Sequence, residues 1–256
     1  MALIIEQFPC RSDNFGVLIH DPDSGLTASI DAPEEAPIKA QLEKRHWRLD
    51  RIFTTHHHGD HTEANVALKS FSNCTITGPE GEAAKIPGLD KAVRENDRIA
   101  FGAYQVQVIE TPGHTIGHIT YWIPAASVAF VGDTLFAIGC GRVIEGTAEM
   151  MWGSLEKLMR LPDDTAIYCG HEYTAANARF ALTIEPGNAD LVARAAEVTR
   201  LRAAGKPTLP TTIGLEKKTN PFLRVNEPAI RASLGMEKAT PAQVFGEIRA
   251  RKDHFK

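Results

Sequence analysis

Short runs of alternating apolar and polar residues recur along the first two thirds of the chain, and each run ends in turn residues. This alternation is typical of half-buried β-strands, and the first three runs follow one another closely enough to form an antiparallel meander. The pattern predicts strands within residues 2–8, 15–21, 26–32, 51–57, 74–78, 104–112, 118–124, 127–133 and 165–170.

Helical spacing of apolar residues interrupts this strand pattern at two places. It predicts one helix over residues 62–71 and another over residues 148–160. Thr147 directly precedes the second and is a suitable N-cap, because its hydroxyl can accept a hydrogen bond from the first turn. Strands that alternate with helices indicate an α/β fold.

The helical pattern becomes dominant after about residue 173. Asn188 can cap a long helix that Gly205 ends. Thr240, followed by Pro241 and Gln243, has the spacing of a capping box at the start of the last helix.

The change of pattern also predicts the domain organisation. Residues 1–172 are expected to form an α/β domain, and residues 173–256 a helical C-terminal domain. A connector rich in proline and glycine, residues 206–224, is expected between the two capped C-terminal helices.

Composition and charge exclude several classes of function. The chain has 256 residues, of which 43% are hydrophobic, and a net charge of −4, which gives no support for binding nucleic acid or a membrane surface. No apolar stretch is long enough to span a bilayer, and no secretory leader is expected at the start. The absence of paired or zinc-knuckle spacing predicts reduced thiols in a cytoplasmic protein. The four cysteines are Cys10, Cys74, Cys140 and Cys169.

The stretch TTHHHGDHTEAN holds four of the ten histidines. Because side chains alternate across a strand, His56 and His58 are expected on one face and His57 on the other, where it packs or supports the site. Asp60 and His61 come where the next helix is expected to begin. Two chelating pairs at this spacing can serve two adjacent cations.

Three further polar residues follow apolar strands at the point where each strand ends: His114, Asp133 and His171. Side chains at strand ends in an α/β layer structure converge on one edge, where sites form. Imidazole and carboxylate ligands suit zinc, iron or manganese better than calcium. Seven such ligands are too many for one tetrahedral ion and suit two ions about 3.5–4 Å apart that share a carboxylate.

Several motifs resemble known families. Four segments resemble motifs of proteins with the metallo-β-lactamase fold: THHHGDH at residues 55–61, TPGHTIGH, FVGDTLF and YCGHEYT. Within that fold, the chain is similar to the hydroxyacylglutathione hydrolase (glyoxalase II) family over essentially its whole length. The segments that carry the closer resemblance are GCGRVIEGT at residues 139–147, KTNPFLR at residues 218–224, and the terminal RARKDHF.

The resemblance implies a four-layer αβ/βα metallo-β-lactamase sandwich with a C-terminal helical domain. It also implies two divalent ions per chain, with zinc foremost and iron or manganese as alternatives. One ion would take His56, His58 and His114, the other would take Asp60, His61 and His171, and Asp133 would bridge them.

The reaction implied is hydrolysis of S-(2-hydroxyacyl)glutathione, typically S-D-lactoylglutathione, to glutathione and D-lactate, the second step of methylglyoxal detoxification. Asp60 and Asp133 would act with a hydroxide that bridges the ions, since even one zinc lowers the pKa of bound water to about 7. A thiolate leaving group needs no strong general acid, and none is obvious in the sequence. A monomer is expected.

The family also places basic and aromatic groups around glutathione. Ile144 departs from it, because relatives often carry an aromatic residue there, and it is left out of the expected site. The positions that match are Arg142, Tyr173, Arg249 and Lys252.

Other functions of the same fold stay open at this point. A mononuclear iron persulfide dioxygenase shares the histidine-rich stretch but would need oxygen and a single ion. A lactonase or β-lactamase would need no anchors for an anionic peptide. A binding module that keeps a structural metal is disfavoured by seven ligands, because structural sites are usually closed with four. His118 is expected to support the site rather than to bind metal.

Overall fold

The computed structural model describes residues 1–255. The chain divides into two compact units. The first combines Met1–Glu110 with Thr115–Gly132, and the second combines Thr111–His114 with the segment from Asp133 onward. Among the described residues, no helix combines the length and the apolar character that crossing a membrane requires.

The first unit contains a six-stranded sheet in which spatial order equals chain order. Strands β1 to β3 pair antiparallel, and β3 to β6 pair parallel. The strands are β1 (Ile4–Cys10), β2 (Asn14–Asp21), β3 (Leu26–Ile30), β4 (Arg51–Phe53), β5 (Thr75–Pro79) and β6 (Lys91–Val93).

A second, antiparallel set of strands in this unit packs against the first sheet. The ring of Phe53 lies 6.0 Å from that of Phe101 and 5.3 Å from that of Tyr121. The Tyr121 hydroxyl donates to the carbonyl of Thr54 at 2.9 Å, which satisfies this fully buried phenol. The strands are β7 (Arg98–Phe101), β8 (Tyr104–Glu110), β9 (Ile119–Ile123) and β10 (Val128–Phe130).

Helices cover the other face of the six-stranded sheet. Ile38 and Leu42 of one helix and Leu68 of another share a buried cluster with Ile52 and Ile76 of the strands. Each such side chain contributes about 1.5–3 kcal/mol when fully buried. The helices are α1 (Glu35–Arg45), α2 (Gly59–Thr62) and α3 (Asn65–Ser72).

The second unit is mainly helical and has its own apolar core. Its helices are α4 (Ala148–Met159), α5 (Thr174–Ile184), α6 (Ala189–Ala203), α7 (Ile213–Thr219), α8 (Pro228–Leu234) and α9 (Pro241–His254). Two short antiparallel pairs complete it: β11 (Leu135–Phe136) with β12 (Gly139–Cys140), and β13 (Ala166–Tyr168) with β14 (Thr211–Thr212).

The predicted helix starts are confirmed. The Thr147 hydroxyl accepts from the amide of Met150 at 3.2 Å, and Asn188 accepts from Leu191 at 3.1 Å. At the last helix, Thr240 and Gln243 form both hydrogen bonds of a capping box.

Two predictions around the histidine-rich stretch are wrong. Strand β4 ends at Phe53, so residues 54–58 are not a strand and the argument from alternating faces does not apply to them. The helix predicted over residues 62–71 is interrupted at residues 63 and 64, which separate α2 from α3.

The C-terminal connector was also predicted incompletely. Residues 206–224 are not a plain linker, since they contain β14 and α7. Helices α1 and α5 were not predicted at all. The domain boundary between residues 172 and 173 stays a prediction.

Candidate metal centre

Asp31 orients two of the clustered histidines in the first unit. Its Oδ2 accepts from His61 Nδ1 at 2.8 Å and from the Thr55 hydroxyl at 2.9 Å. The hydroxyl donates its only hydrogen to Asp31, so it acts as the acceptor for His56 Nδ1, which lies 3.0 Å away. Both imidazoles are thereby held in the tautomer that leaves Nε2 as the ligand atom.

The backbone of Asp31 is as specialised as its side chain. Its φ is +57°, a left-handed conformation that aspartate adopts more readily than most residues. The amide of Thr55 donates to Asp31 Oδ1 at 2.7 Å, so both carboxylate oxygens are engaged in this buried position. The carboxylate therefore joins the end of β3 to the segment that follows β4.

His57 is directed to a different partner, Glu82. The buried Glu82 carboxylate accepts from the His57 amide at 2.7 Å and lies 2.8 Å from His57 Nδ1. It also accepts from the amide of Gly117 at 2.9 Å. His118 is fully buried and stacks on His56 with ring centroids 4.9 Å apart. Glu82 thus holds His57, and the ring of His118 packs on that of His56; that neither histidine binds metal stays a prediction.

Asp60 is partly exposed and held by one amide side chain. The buried Asn14 donates from Nδ2 to both the carbonyl and the Oδ2 of Asp60, each at 3.2 Å. This fixes the carboxylate at the first turn of α2, next to His61, whose Nε2 is 3.7 Å from Asp60 Oδ2.

The second unit contains three more candidate ligands that lie close together. Asp133 Oδ2 is 3.5 Å from His114 Nε2 and 3.3 Å from His171 Nε2. His114 Nδ1 donates to the carbonyl of Arg142 at 2.9 Å, which again leaves Nε2 as the ligand atom. All three side chains are buried.

These side chains form groups whose ligand atoms lie within 4.8 Å of one another. The donor set of neutral imidazole nitrogens and hard carboxylate oxygens fits zinc, iron or manganese, and the fixed Nδ1 partners fit that use. The groups are His56, His58 and His114; His56, His61 and Asp133; and Asp60, His61 and His171. A further group of the same kind is His57, Glu82 and Glu145.

The expected substrate contacts lie in the second unit in differing environments. Arg142 is exposed, and Tyr173 stacks on His171 at 4.7 Å with an interplanar angle of 3°. Arg249 is buried and donates to the carbonyl of Cys140 at 3.0 Å. Desolvation, followed by the positive charge of Arg249, lowers the pKa of Lys252. Ile144 is exposed.

All four cysteines are buried. Burial raises the pKa of Cys140 to about 11 and the pKa of Cys169 further still. Both therefore remain neutral thiols near neutral pH, in agreement with a structural role.

Sequence reasoning missed Asp31 and Glu82. Asp31 directly follows β3, so the rule that found Asp133 at a strand end could have found it. Glu82 lies in a short 3₁₀ segment, 25 residues from its partner His57, and carries no local signal.

Comparison with known proteins agrees with this geometry. The family model described as the metallo-beta-lactamase superfamily matches residues 17–171, and the model described as hydroxyacylglutathione hydrolase C-terminus matches residues 172–255. The first match covers more than half of the chain. The chain therefore belongs to the metallo-β-lactamase superfamily, which confirms the α/β fold with a helical C-terminal part.

Relatives narrow the class further. A hydroxyacylglutathione hydrolase of Rhizobium meliloti is 60% identical over 254 residues, with 99% of each chain covered. That of Mesorhizobium japonicum is 60% identical over 255 residues, with 100% of each chain covered. The structure of ETHE1 from Myxococcus xanthus has 26% identity and a TM-score of 0.67, and the match covers 99% of this chain and 100% of the other. The chain belongs to the hydroxyacylglutathione hydrolase family.

Proposed function

We propose that this protein hydrolyses the thioester of S-(2-hydroxyacyl)glutathione, typically S-D-lactoylglutathione, to glutathione and a 2-hydroxy acid. Such a reaction is the second step of methylglyoxal detoxification. The observation that carries the proposal is the set of histidine and aspartate groups whose ligand atoms lie within 4.8 Å of one another. Family membership over the whole chain supports it.

The donor groups support two metal positions. In the proposed assignment, His56, His58 and His114 would hold one divalent cation, Asp60, His61 and His171 would hold the other, and Asp133 would serve both; each of these residues belongs to a group that could hold a metal ion. When bound, such cations supply a water that ionises near neutral pH and a Lewis acid for the thioester carbonyl. Zinc is the proposed metal, with iron or manganese as alternatives.

Asp60 and Asp133 are proposed as the catalytic carboxylates. Asp60 is the more exposed, with 34% of its side chain accessible, so it can accept a hydrogen bond from an attacking water and orient it. Asp133 is buried between two imidazoles, where it holds its neighbours in place and stays out of bulk solvent.

The leaving group explains why the site needs no strong acid. A thiol has an ordinary pKa of about 8.5, so the glutathione thiolate departs without being protonated first. An amide nitrogen would require a proton donor. The ligand-rich site is therefore better suited to thioesters than to amides.

Glutathione carries two carboxylates, and the second unit offers cations and a ring for it. We assign glutathione binding to Arg142, Tyr173, Arg249 and Lys252. We also propose that residues 173–256 form the substrate-binding domain. Exposed Arg142 can pair with a carboxylate, and Tyr173 offers a flat surface fixed by its stacking on His171. The reduced, buried cysteines favour a cytoplasmic location.

The test is to follow loss of the S-D-lactoylglutathione thioester under anaerobic conditions, before and after chelation. Hydrolysis that needs no oxygen, stops on chelation and returns with zinc would support the proposal. A zinc-loaded protein that leaves the thioester intact would refute it. Oxygen uptake with glutathione persulfide would then identify the dioxygenase alternative.

A further inference from the structure

The hairpin formed by β11 and β12 turns through a conformation that its residues disfavour. Leu135 pairs with Cys140, and Phe136 pairs with Gly139. Ile138 in the turn has a φ of +56°, which is a genuine outlier for a β-branched residue. The surrounding structure must therefore hold this turn in place.

Two kinds of contact hold Ile138. Its side chain is fully buried in a cluster with Ala178, Ala181 and Leu191 of helices α5 and α6. Its amide donates to Glu216 Oε2 of helix α7 at 2.8 Å. A side chain packed on one side and an amide bound on the other leave the turn little freedom.

The carbonyls of the turn are bound as well. Asn220 Nδ2 lies 2.9 Å from the carbonyl of Gly139, 3.3 Å from that of Phe136 and 2.9 Å from Glu216 Oε2. Asn177 donates to the carbonyl of Ala137 at 3.2 Å. Glu216 and Asn220 thus form one polar clamp around the turn.

Glu216 is fully buried, and burying its charged carboxylate without a counter-charge would destabilise the fold. Arg194 supplies it from helix α6, with NH2 2.5 Å from Glu216 Oε1. Thr211 donates to the same oxygen at 2.6 Å. A buried ion pair is often no more stabilising than an apolar pair of similar size, so its place here suggests a role beyond stability.

Both ends of the hairpin lead to the metal centre. Asp133 lies two residues before β11, and a side chain at Gly141 would approach its carbonyl oxygen to 1.8 Å, so this close contact requires glycine. The next residue, Arg142, accepts through its carbonyl from His114 Nδ1 at 2.9 Å. A shift of the turn would therefore move Asp133 and release His114 from its orienting partner.

We propose that Glu216 is a positioning residue for the metal centre. Paired with Arg194, it holds the strained turn at Ile138, and through the hairpin it fixes Asp133 and the Arg142 carbonyl that orients His114. The inference rests on the metal centre of the proposed function, but not on the identity of the substrate.

Two double variants test it, because both remove the buried ion pair and differ in whether residue 216 keeps an oxygen that can accept from the clamp donors Ile138, Asn220 and Thr211. Arg194→Met with Glu216→Gln keeps an amide oxygen that can bind the turn. Arg194→Met with Glu216→Met has none. We expect the second double variant to bind zinc at least about 10-fold more weakly than the first, as for other groups that orient metal ligands. Equal zinc affinities, measured against a chromogenic chelator, would overturn the proposal.

A single variant covers the case in which a double variant does not fold. Asn220→Ala removes the other half of the clamp and leaves the buried Glu216 paired with Arg194. Asn188→Ala is its control, since it removes the cap of helix α6 without touching the hairpin. We expect only Asn220→Ala to weaken zinc binding, by about 10-fold, when both proteins are compared at temperatures well below their melting points. Equal zinc affinity in the two variants would show that Glu216 and Asn220 only stabilise the fold.

Zinc affinity and thioester hydrolysis are recorded on the same samples. A wild-type protein that binds zinc but leaves the thioester intact would defeat the proposed function, and the zinc affinities of the variants would still decide this inference.

Discussion

Asp31 Oδ2 lies 2.8 Å from Nδ1 of His61 and also accepts from the hydroxyl that binds His56. One carboxylate therefore sets the tautomer of two proposed metal ligands. The arrangement depends on Asp31 as a hydrogen-bond acceptor, since both His61 Nδ1 and the Thr55 hydroxyl donate to it.

The first prediction concerns a substitution of Asp31 that removes part of its carboxylate acceptor. Asp31→Asn tolerates the left-handed backbone, but three donors (His61 Nδ1, the Thr55 hydroxyl and the Thr55 amide) converge on the carboxylate, and asparagine offers them one oxygen and an NH2 group that cannot accept. We expect zinc affinity to fall about 10- to 100-fold, measured by competition with a chelator. Asp50→Asn is the matched control, because Asp50 accepts from the amide of Thr27 and touches no clustered histidine. An unchanged zinc affinity for Asp31→Asn would show that His61 needs no orienting carboxylate.

The second prediction concerns the proposed shared ligand. Asp133→Ala removes the carboxylate that lies 3.5 Å from His114 and 3.3 Å from His171. We expect thioester hydrolysis to fall by at least about 10³-fold, or about 4 kcal/mol, together with a loss of bound metal measured by elemental analysis. The exposed Asp164→Ala serves as the control. Full turnover by Asp133→Ala would remove the bridging assignment.

The proposed metal ligands show how far sequence patterns reach. His114, Asp133 and His171 were predicted as ligands because each follows a short apolar strand, and each belongs to a group of side chains that could hold a metal ion. Strand ends indicate where a site can form, so the pattern can name such candidates. It failed in detail for His56 and His58, because β4 ends at Phe53 and their grouping does not come from strand alternation.

Contacts between distant segments could not be predicted in the same way. Glu216 accepts from the amide of Ile138, which lies 78 positions away in the sequence, and neither residue lies in a recognisable motif. Helix α5 was missed because no capping residue marks its start: its N-cap is Tyr173, which makes no capping hydrogen bond, although Asn177 of this helix binds the hairpin. Tertiary packing, which local patterns do not report, decides such elements.

The third prediction concerns pH and substrate affinity. Lys252 is charged at pH values below its pKa. Desolvation and, after it, the positive charge of Arg249 lower that pKa from its ordinary value of 10.5. Its attraction for a glutathione carboxylate is therefore present at low pH and is lost as the pH rises through that lowered pKa. We expect the KM of the wild type to rise in alkaline solution below pH 10.5, while Lys252→Arg, whose guanidinium stays charged, keeps a flatter profile. Coincident KM profiles would exclude Lys252 from substrate binding.

The fourth prediction concerns the thiols. All four cysteines are buried, and burial raises the pKa of Cys10 to about 12 and that of Cys140 to about 11. Only the thiolate reacts, so the native protein is expected to react very slowly with a disulfide reagent at neutral pH. The unfolded chain should release four equivalents of the reagent's thiolate, one for each cysteine. Rapid labelling of the native protein would show that one of these thiols is accessible and activated.

The most direct test of the account is hydrolysis of S-D-lactoylglutathione, without oxygen, as zinc is added back stepwise to the chelated protein. A dinuclear hydrolase should regain activity as zinc binds and should reach its maximum near two equivalents per chain. A protein that binds zinc to saturation and still leaves the thioester intact would contradict the account.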